Sequence, residues 1–197
     1  MTPQAESVLE LFRSTGAYLE GHFRLTSGLH SGEYLQCALV LQHPAAAEQL
    51  GRSLAQELRT LAPGKIDLVA SPALGGLIIG HEVARALGTR FLFTERDAAT
   101  AKMTLRRGFT VAPGETAVVV EDVITTGGST ADVIDVLRAA GGKVLAAGSI
   151  VDRSGGRADV GVPRVALATL QMAAHHLQDC PLCARGIPLV KPGSRPA

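Results

Sequence analysis

The sequence predicts an α/β fold, with a central, mostly parallel sheet that carries helices on both of its faces. Short apolar runs alternate with helical patterns along most of the chain. Within these runs polar and apolar residues do not alternate, which is typical of strands that are buried on both faces. Strands separated by helices in this way indicate a layered α/β domain.

The predicted elements follow one another in a regular order. A first helix begins at Pro3 and is capped by Thr2, and a second begins at Pro44 and ends before Pro63. Between them, residues 17–41 are mixed, with turn signals and one short strand-like run. Further strands are predicted at residues 66–70, 90–94, 117–120, 143–151 and 164–170, with helices at 76–87 and 130–140 and a charged, irregular stretch at 95–114.

Length and composition narrow the class of protein. The 197 residues suit a single domain, with an N-terminal segment at about 1–43, an α/β core at about 44–170 and a proline-rich tail at about 171–197. Nineteen basic residues against eighteen acidic ones give a net charge of +1, so neither nucleic acid nor a membrane is an expected partner. The chain has no signal-peptide pattern and no apolar run of about 18 residues, and its three cysteines are too few for a disulfide scaffold. A cytoplasmic protein is therefore expected.

One segment fits the rule that ligands of such sheets bind beyond the carboxyl ends of the strands. The apolar strand Val118–Val120 runs into two acids, Glu121 and Asp122, and then into a loop rich in Thr and Gly that opens a helix. The start of a helix offers free N–H groups and a positive dipole end, which suit a phosphate. The acids suit the neighbouring sugar hydroxyls, directly or through a divalent cation. The segment thus predicts a cradle for a ribose phosphate.

The same segment has two other interpretations. The acids can cap a turn while Gly127 and Gly128 form an ordinary loop, but the coincidence of strand, acids, loop and helix makes this the less favoured one. A P-loop ATPase also carries an acidic strand end. That alternative fails because the sequence contains no G-x-x-x-x-G-K-[ST].

This segment resembles the motif with which type I phosphoribosyltransferases bind PRPP (5-phosphoribosyl 1-diphosphate). The resemblance implies a type I phosphoribosyltransferase-like fold, a small N-terminal hood at about residues 1–43, and Mg²⁺ as cofactor. The motif does not identify the base, and some proteins that carry it are regulators without transferase activity. The PRPP-binding residues that it implies are Glu121, Asp122, Val123, Ile124, Thr125, Thr126, Gly127, Gly128 and Ser129.

Further matches, spread over nearly the whole chain, resemble the orotate phosphoribosyltransferases. They comprise residues 23–31, the loop 71–76 and the strand end 151–153. The resemblance implies that Ala73, Leu74 and Gly75 bind diphosphate. It implies that orotate is bound by Ser27, Gly28, Tyr34, Thr125 and Arg153.

The arginine also makes physical sense without the resemblance. Orotate differs from uracil by a carboxylate, and the planar fork of Arg153 can pair with it through two hydrogen bonds. An unpaired carboxylate in a closed site carries a desolvation cost of several kcal/mol. From the residues alone, however, Arg153 is equally a surface residue, and Tyr34 is more often ordinary packing than a base platform.

The charged stretch from residue 95 to 108 resembles the family's mobile catalytic loop, which reaches into the site of the partner subunit. The resemblance implies a homodimer with a shared loop, and it gives Arg96 and Lys102 catalytic roles beside Asp122. Arg106 or Arg107 could take a similar part. As a bare sequence feature, such a stretch is usually a solvated hairpin.

The sequence also departs from the family pattern. Thr26 stands where many members have a lysine, and a second common lysine is missing near Gly75. The mobile loop lacks the histidine expected near residues 103–105. These gaps leave fewer cations for the diphosphate in the main body of the protein.

Two cysteines, Cys180 and Cys183, have the spacing of half a zinc site, and His175 and His176 lie just upstream. A second C-x-x-C pair is absent, so the favoured interpretation is a turn with two reduced thiols packed against the tail. Cys37 is predicted to be a small core residue.

Taken together, these features predict Mg²⁺-dependent transfer of ribose 5-phosphate from PRPP to orotate, giving orotidine 5′-monophosphate and diphosphate. Two alternatives stay open. A purine or xanthine phosphoribosyltransferase would keep the PRPP loop but would use neither Arg153 nor the segment Ser27-Gly28. A PRPP-sensing regulator that binds nucleic acid should have a basic face, which a chain of net charge +1 does not suggest.

Overall fold

The computed structural model describes residues 2–25 and 27–192, and its strands and helices alternate as the sequence predicts. The strands are β1 Tyr18–Arg24, β2 His30–Leu35, β3 Leu68–Pro72, β4 Arg90–Arg96, β5 Met103–Leu105, β6 Thr116–Ile124, β7 Lys143–Asp152, β8 Arg164–Thr169 and β9 Ala174–His175. The helices are α1 Pro3–Ser14, α2 Cys37–Leu41, α3 Pro44–Leu61, α4 Gly76–Leu87, α5 Gly128–Ala139 and α6 Pro181–Ala184. In the described part of the chain, no helix has the length and apolar character needed to cross a membrane.

The main sheet has six strands in the order β5-β4-β3-β6-β7-β8. All neighbours in it are parallel except the short strand β5, which runs antiparallel to β4. The prediction of a central, mostly parallel sheet is confirmed. Because β3, β6 and β7 are parallel, their carboxyl ends lie at the same edge of the sheet, which is where ligands of such folds bind.

Helices cover both faces of this sheet, and β6 contributes alternate residues to the two sides. Val118 and Val120 pack in the cluster that contains the apolar faces of α1, α3 and α4. Ala117 and Val119 pack in a second cluster, which contains Leu137 of α5. All four β6 residues are fully buried. Burial on both faces explains why the strand shows no alternation in sequence.

A second, three-stranded sheet is formed by the N-terminal hairpin and a strand from the C-terminal part, in the order β1-β2-β9. Residues 17–41, which look mixed in sequence, thus contain two antiparallel strands and the short helix α2. Their pattern is weak because the register of β1 shifts between Glu20 and Phe23. The tail continues beside β1, where the N–H of Val190 donates to the carbonyl of His22 at 2.8 Å.

Several boundaries differ from the predicted ones. The strand predicted at 117–120 extends to Ile124, so both acids lie within β6. Helix α5 begins at Gly128, two residues before the predicted start. The stretch 95–114, predicted to be irregular, contains β5.

Candidate active site

A cleft of about 410 Å³ lies at the carboxyl edge of the main sheet. It brings together three segments that are far apart in sequence: the loop after β3, the end of β4 and the end of β6 with the start of α5. The lining residues are Pro72, Ala73, Leu74, Gly75, Arg96, Met103, Glu121, Asp122 and Ser129. Seven of these nine residues are among the site residues predicted from the sequence.

The two acids form the floor of the cleft. Glu121 is 8% exposed, and burial raises the pKa of its carboxyl group well above the ordinary value, to which the charge of Asp122 adds. Burial also raises the pKa of Asp122, although its Oδ1 accepts a hydrogen bond from the N–H of Val123 at 2.8 Å. Two neighbouring carboxylates in a poorly solvated place are unstable as anions. They therefore favour a ligand that offers hydroxyl donors or a cation.

The loop between β6 and α5 is short and leads directly into the helix. Gly127 is the N-cap of α5, with φ +85°, a conformation that residues with a Cβ adopt at a cost. A Cβ at this position would lie 2.7 Å from Cγ1 of Val160, so the close approach also requires glycine. The first N–H groups of a helix have no acceptor within it. The start of α5 beside Ser129 is thus suited to an anion.

The loop after β3 approaches the acids closely. A Cβ on Gly75 would lie 2.7 Å from Oδ1 of Asp122, so a larger residue at this position would displace that carboxylate. The N–H of Ala73 donates to the carbonyl of Thr94 at 2.9 Å, which ties the loop to β4. Leu74, joined to Ala73 by a cis peptide bond, is 73% exposed. The predicted diphosphate loop therefore forms one wall of the cleft.

Arg96 lies at the end of β4 and also lines the cleft. Its Nη2 is 2.9 Å from Oδ2 of Asp132 and 3.3 Å from Oγ of Ser129, and its Nη1 donates to the carbonyl of Ala101 at 3.0 Å. These contacts attach the guanidinium to Ser129 and Asp132, in the first two turns of α5. A cation at this point is well placed to meet an anion bound in the cleft.

The charged stretch after Arg96 is a hairpin, and Lys102 lies exposed near its tip. Asp97 closes the turn: its Oδ1 accepts hydrogen bonds from the N–H of Thr100 at 2.9 Å and of Ala99 at 3.1 Å. At the base, Arg107 forms two hydrogen bonds of 2.8 Å with the carboxylate of Glu95. Lys102 is not one of the described residues that line the cleft.

Arg153 follows β7 and is mostly buried, with its backbone N–H bonded to the carbonyl of Ile124 at 2.8 Å. Its Nε is buried and has no hydrogen-bond partner among the described residues. Burial lowers the pKa of the Arg153 guanidinium. Burial raises the pKa of Tyr34, and the positive charge of Arg153 offsets part of that rise. The Tyr34 pKa is also affected by Asp122. These two predicted base-binding residues therefore lie near each other and near the acids.

Ser27 and Gly28 lie in the exposed turn between β1 and β2. The N–H of Gly28 donates to the carbonyl of Leu25 at 2.9 Å, and its φ of +83° favours glycine. Among the described residues, the cleft lining includes none from this turn. Thr125 is likewise exposed beside the cleft without lining it. The departure at Thr26 lies outside the described residues.

Asp152 shapes the loop that carries Arg153, a role that the sequence analysis did not assign. Its carboxylate accepts hydrogen bonds from the N–H groups of Ser154 at 2.7 Å and Gly156 at 3.0 Å, and it pairs with Arg164 at 2.7 Å. Burial opposes its ionisation, but the bonds to Ser154 and Arg164 outweigh that effect and lower its pKa. The sequence signal for this role was an acid at a strand end, followed after one residue by Ser-Gly-Gly.

The cysteine pair lies away from the cleft, at α6. Cys180 and Cys183 are grouped with His22 and His30, and not with the upstream pair His175-His176. Cys37 is 2% exposed in the main core, as predicted.

The family model of the phosphoribosyl transferase domain matches residues 38–177, which is more than half of the chain. The matched range includes the diphosphate loop, both acids and the start of α5. The fold and the cleft together define the class of protein: one with a type I phosphoribosyltransferase domain.

Comparison with individual proteins identifies the family within this class. The chain is 54% identical over 190 residues to an orotate phosphoribosyltransferase from Heliobacterium modesticaldum, covering 96% of this chain and 98% of that protein. The corresponding protein from Pelotomaculum thermopropionicum is also 54% identical, over 96% of this chain and 97% of that one. The crystal structure of an orotate phosphoribosyltransferase from Aeropyrum pernix is similar with a TM-score of 0.69 and 29% identity, covering 83% of this chain and 94% of that one. The chain belongs to the orotate phosphoribosyltransferase family.

Proposed function

We propose that this protein transfers ribose 5-phosphate from PRPP to orotate and so makes orotidine 5′-monophosphate and diphosphate, a step of pyrimidine biosynthesis. One observation carries the proposal: an acid pair, of which Glu121 is buried, lines one cleft with a glycine loop and a helix start, in a chain 54% identical to orotate phosphoribosyltransferases over nearly its whole length. The cytoplasm is the location that we expect for this step.

PRPP fits the cleft in one orientation. The 5-phosphate takes the N–H groups and hydroxyls of residues 123–129, where the start of α5 favours an anion. The ribose hydroxyls donate to the carboxyl groups of Glu121 and Asp122, whose pKa values burial raises. Hydrogen-bond donors stabilise the ionised form of such groups. The diphosphate then lies along the loop 73–75 and meets Arg96.

The cofactor proposed for this site is Mg²⁺, held mainly through PRPP. The carboxylate oxygens of Glu121 and Asp122 are the donor type that this hard cation prefers. When bound, Mg²⁺ neutralises part of the charge on the departing diphosphate.

Orotate is proposed to bind on the hood side of the ribose. Arg153, whose Nε has no hydrogen-bond partner among the described residues, pairs with the orotate carboxylate. Tyr34 lies near the face of the ring, and the backbone of Ser27 and Gly28 together with Thr125 bonds its polar edge. An unsatisfied buried donor is costly until a ligand satisfies it, which makes the site selective for an acidic base.

The chemistry requires no covalent intermediate with the protein. The bond between C1 of the ribose and the diphosphate oxygen breaks, and the diphosphate leaves with the electron pair. Orotate N1 attacks C1 from the opposite face, and the proton on N1 is released. The hairpin at 95–108 is proposed to close over the partner subunit's site in a homodimer, where it brings Lys102 to the diphosphate and excludes water. Arg96, at the base of the hairpin, acts on the diphosphate in the cleft of its own chain.

The proposal is tested by incubating the protein with PRPP, Mg²⁺ and orotate while following loss of orotate absorbance and release of diphosphate. Equal amounts of both changes are expected, with no turnover when uracil or adenine replaces orotate. Turnover of adenine in preference to orotate would instead support the purine alternative and overturn this proposal.

A further inference from the structure

Four metal-binding side chains meet outside the cleft. They are His22, His30, Cys180 and Cys183, and one ligand atom from each lies within 4.8 Å of all the others. Three of the four residues are buried, and Cys183 is partly exposed. The reaction proposed above uses none of them.

Two distant parts of the chain supply these ligands. His22 and His30 come from the neighbouring strands β1 and β2, close to the point where Arg24 pairs with His30. Cys180 is the N-cap of α6 and Cys183 lies within that helix. One turn therefore presents both sulfurs to the same side, as C-x-x-C pairs do in zinc sites.

The distances between ligand atoms approach those of a tetrahedral zinc site. Sγ of Cys183 is 3.6 Å from Nε2 of His22 and 3.3 Å from Nδ1 of His30, and Sγ of Cys180 is 3.5 Å from Nε2 of His22. Bonds of about 2.3 Å to sulfur and about 2.0 Å to nitrogen at tetrahedral angles separate S from N by about 3.5 Å. The two imidazole nitrogens, 2.9 Å apart, need to separate by a few tenths of an ångström.

A second contact orients the His22 ring. Its Nδ1 is 2.7 Å from the carbonyl oxygen of Ile187, which can accept a hydrogen bond but cannot donate one. Nδ1 must therefore carry the hydrogen, and Nε2 presents its lone pair to the sulfurs and to His30. Metal-bound histidines are commonly fixed in this way through their other ring nitrogen.

We propose that His22, His30, Cys180 and Cys183 bind one Zn²⁺ in a closed, four-coordinate structural site. Binding releases the two thiol protons, and the two thiolates neutralise the charge of the ion. The ion joins the hairpin β1–β2 to the C-terminal segment. Because the turn of that hairpin carries Ser27 and Gly28, the metal also steadies the segment proposed to bind the base.

The first test is the metal content of the full chain, purified under reducing conditions without chelators or an affinity metal. Mass spectrometry of the metals should find about one zinc ion per chain. After removal of the metal, added Co²⁺ should give the visible absorption bands of a tetrahedral ion and the near-ultraviolet band of thiolate ligation. Absence of bound zinc together with absence of these bands would overturn the proposal.

Variants locate the ion. Cys183→Ser is expected to lose nearly all of the zinc and to unfold at lower temperature than the wild type. The matched control is His176→Gln, which changes an exposed histidine next to the cluster and should retain the full metal content. If Cys183→Ser does not fold, the cobalt spectrum of the wild type still decides. Metal content is independent of transferase activity, so this proposal and the proposed reaction can fail separately.

Discussion

Arg153 is the residue on which the choice of base depends in this account. Its guanidinium is mostly buried beside Tyr34, and its Nε has no hydrogen-bond partner among the described residues. The neighbouring Asp152 is already occupied by Ser154, Gly156 and Arg164 and so does not neutralise it. In the proposed complex, the carboxylate of orotate is the partner of this group.

Replacing this arginine should therefore weaken orotate binding selectively. In Arg153→Ala the KM for orotate is expected to rise at least 10-fold, on the order of 2 kcal/mol for losing a buried charged pair, while the KM for PRPP changes little. Steady-state kinetics with each substrate varied in turn measure both constants. Arg157→Ala, an exposed arginine in the same loop, is the control and should behave like the wild type. Equal losses for the two substrates would count against the carboxylate pairing.

Glu121 gives stability a pH dependence whose sign follows from its environment. Burial raises the pKa of its carboxyl group above the ordinary value of 4.5. Below pH 4.5 the group is neutral in the folded and unfolded states, and its contribution to stability is fully present. As the pH rises through the raised pKa of the folded state, this contribution is lost, because the buried group must then ionise.

Glu121→Gln removes that titration. The variant should gain stability relative to the wild type as the pH rises from 4.5, when both are compared without ligand. Urea unfolding at a series of pH values gives the two free energies of unfolding. Curves that stay parallel over the whole range would show that the folded-state pKa of Glu121 is not raised.

Single residues differ in how far the sequence could predict them. Glu121, Asp122 and the loop after them are contiguous, so their joint chemistry is visible in the sequence. The contact between Gly75 and Asp122 depends on β3 lying beside β6. A local sequence pattern does not predict the order of strands in a sheet. The partners of Cys180 and Cys183 were missed for the same reason. His22 and His30 precede the cysteines by more than 140 residues. The histidines named from the sequence, His175 and His176, are not in the cluster.

Among the elements, the hairpin made by the end of β4 and by β5 is the one proposed to move. Its base is held by the pair Arg107–Glu95, whereas Lys102 near its tip is exposed. A side chain that faces solvent in the free protein and meets the diphosphate after closure contributes to the transition state and little to stability.

Lys102→Ala should accordingly lower kcat by about 10–100-fold and leave the unfolding temperature unchanged. Steady-state kinetics and thermal unfolding are the two measurements. Lys143→Ala, at the opposite edge of the sheet where β7 begins, is the control and should alter neither. A variant with full kcat would remove Lys102 from the catalytic group.

Elements with regular patterns were predicted better than elements fixed by tertiary contacts. Helices α1, α3 and α4 begin within a residue of their predicted starts, because each start carries a local signal such as Thr2, Pro44 or Gly76. Strand β6 exceeded its prediction because charged residues were taken to end a strand, whereas pairing with β7 continues to Ile124 and Asp152. Strand β5 was missed because it is only three residues long and depends on β4.

At the scale of the whole molecule, the layered sheet follows from the sequence but the assembly does not. Continuous apolar strands with helices between them have few stable arrangements other than a sheet covered on both faces. The division at about residues 43 and 170 stays a prediction, and the dimer is a proposal taken from the family's shared loop.

Complementation tests the dimer and the shared hairpin together. If the hairpin crosses to the partner subunit, each active site contains Asp122 from one subunit and Lys102 from the other. The substitutions Asp122→Asn and Lys102→Ala can then be placed on different subunits of one dimer. Mixing the two weakly active variants, with exchange of subunits, should then restore up to about a quarter of the wild-type activity, because half of the dimers contain one intact site. A mixture no more active than the mean of its components would mean that each hairpin serves its own chain.

The most direct test is the position of the phosphate in a crystal structure of the protein with orotidine 5′-monophosphate. We expect its oxygens to accept hydrogen bonds of about 2.7–3.2 Å from backbone N–H groups between Thr126 and Ser129, with the ribose hydroxyls on Glu121 and Asp122. A nucleotide bound elsewhere, or a ribose that avoids both carboxylates, would contradict the account.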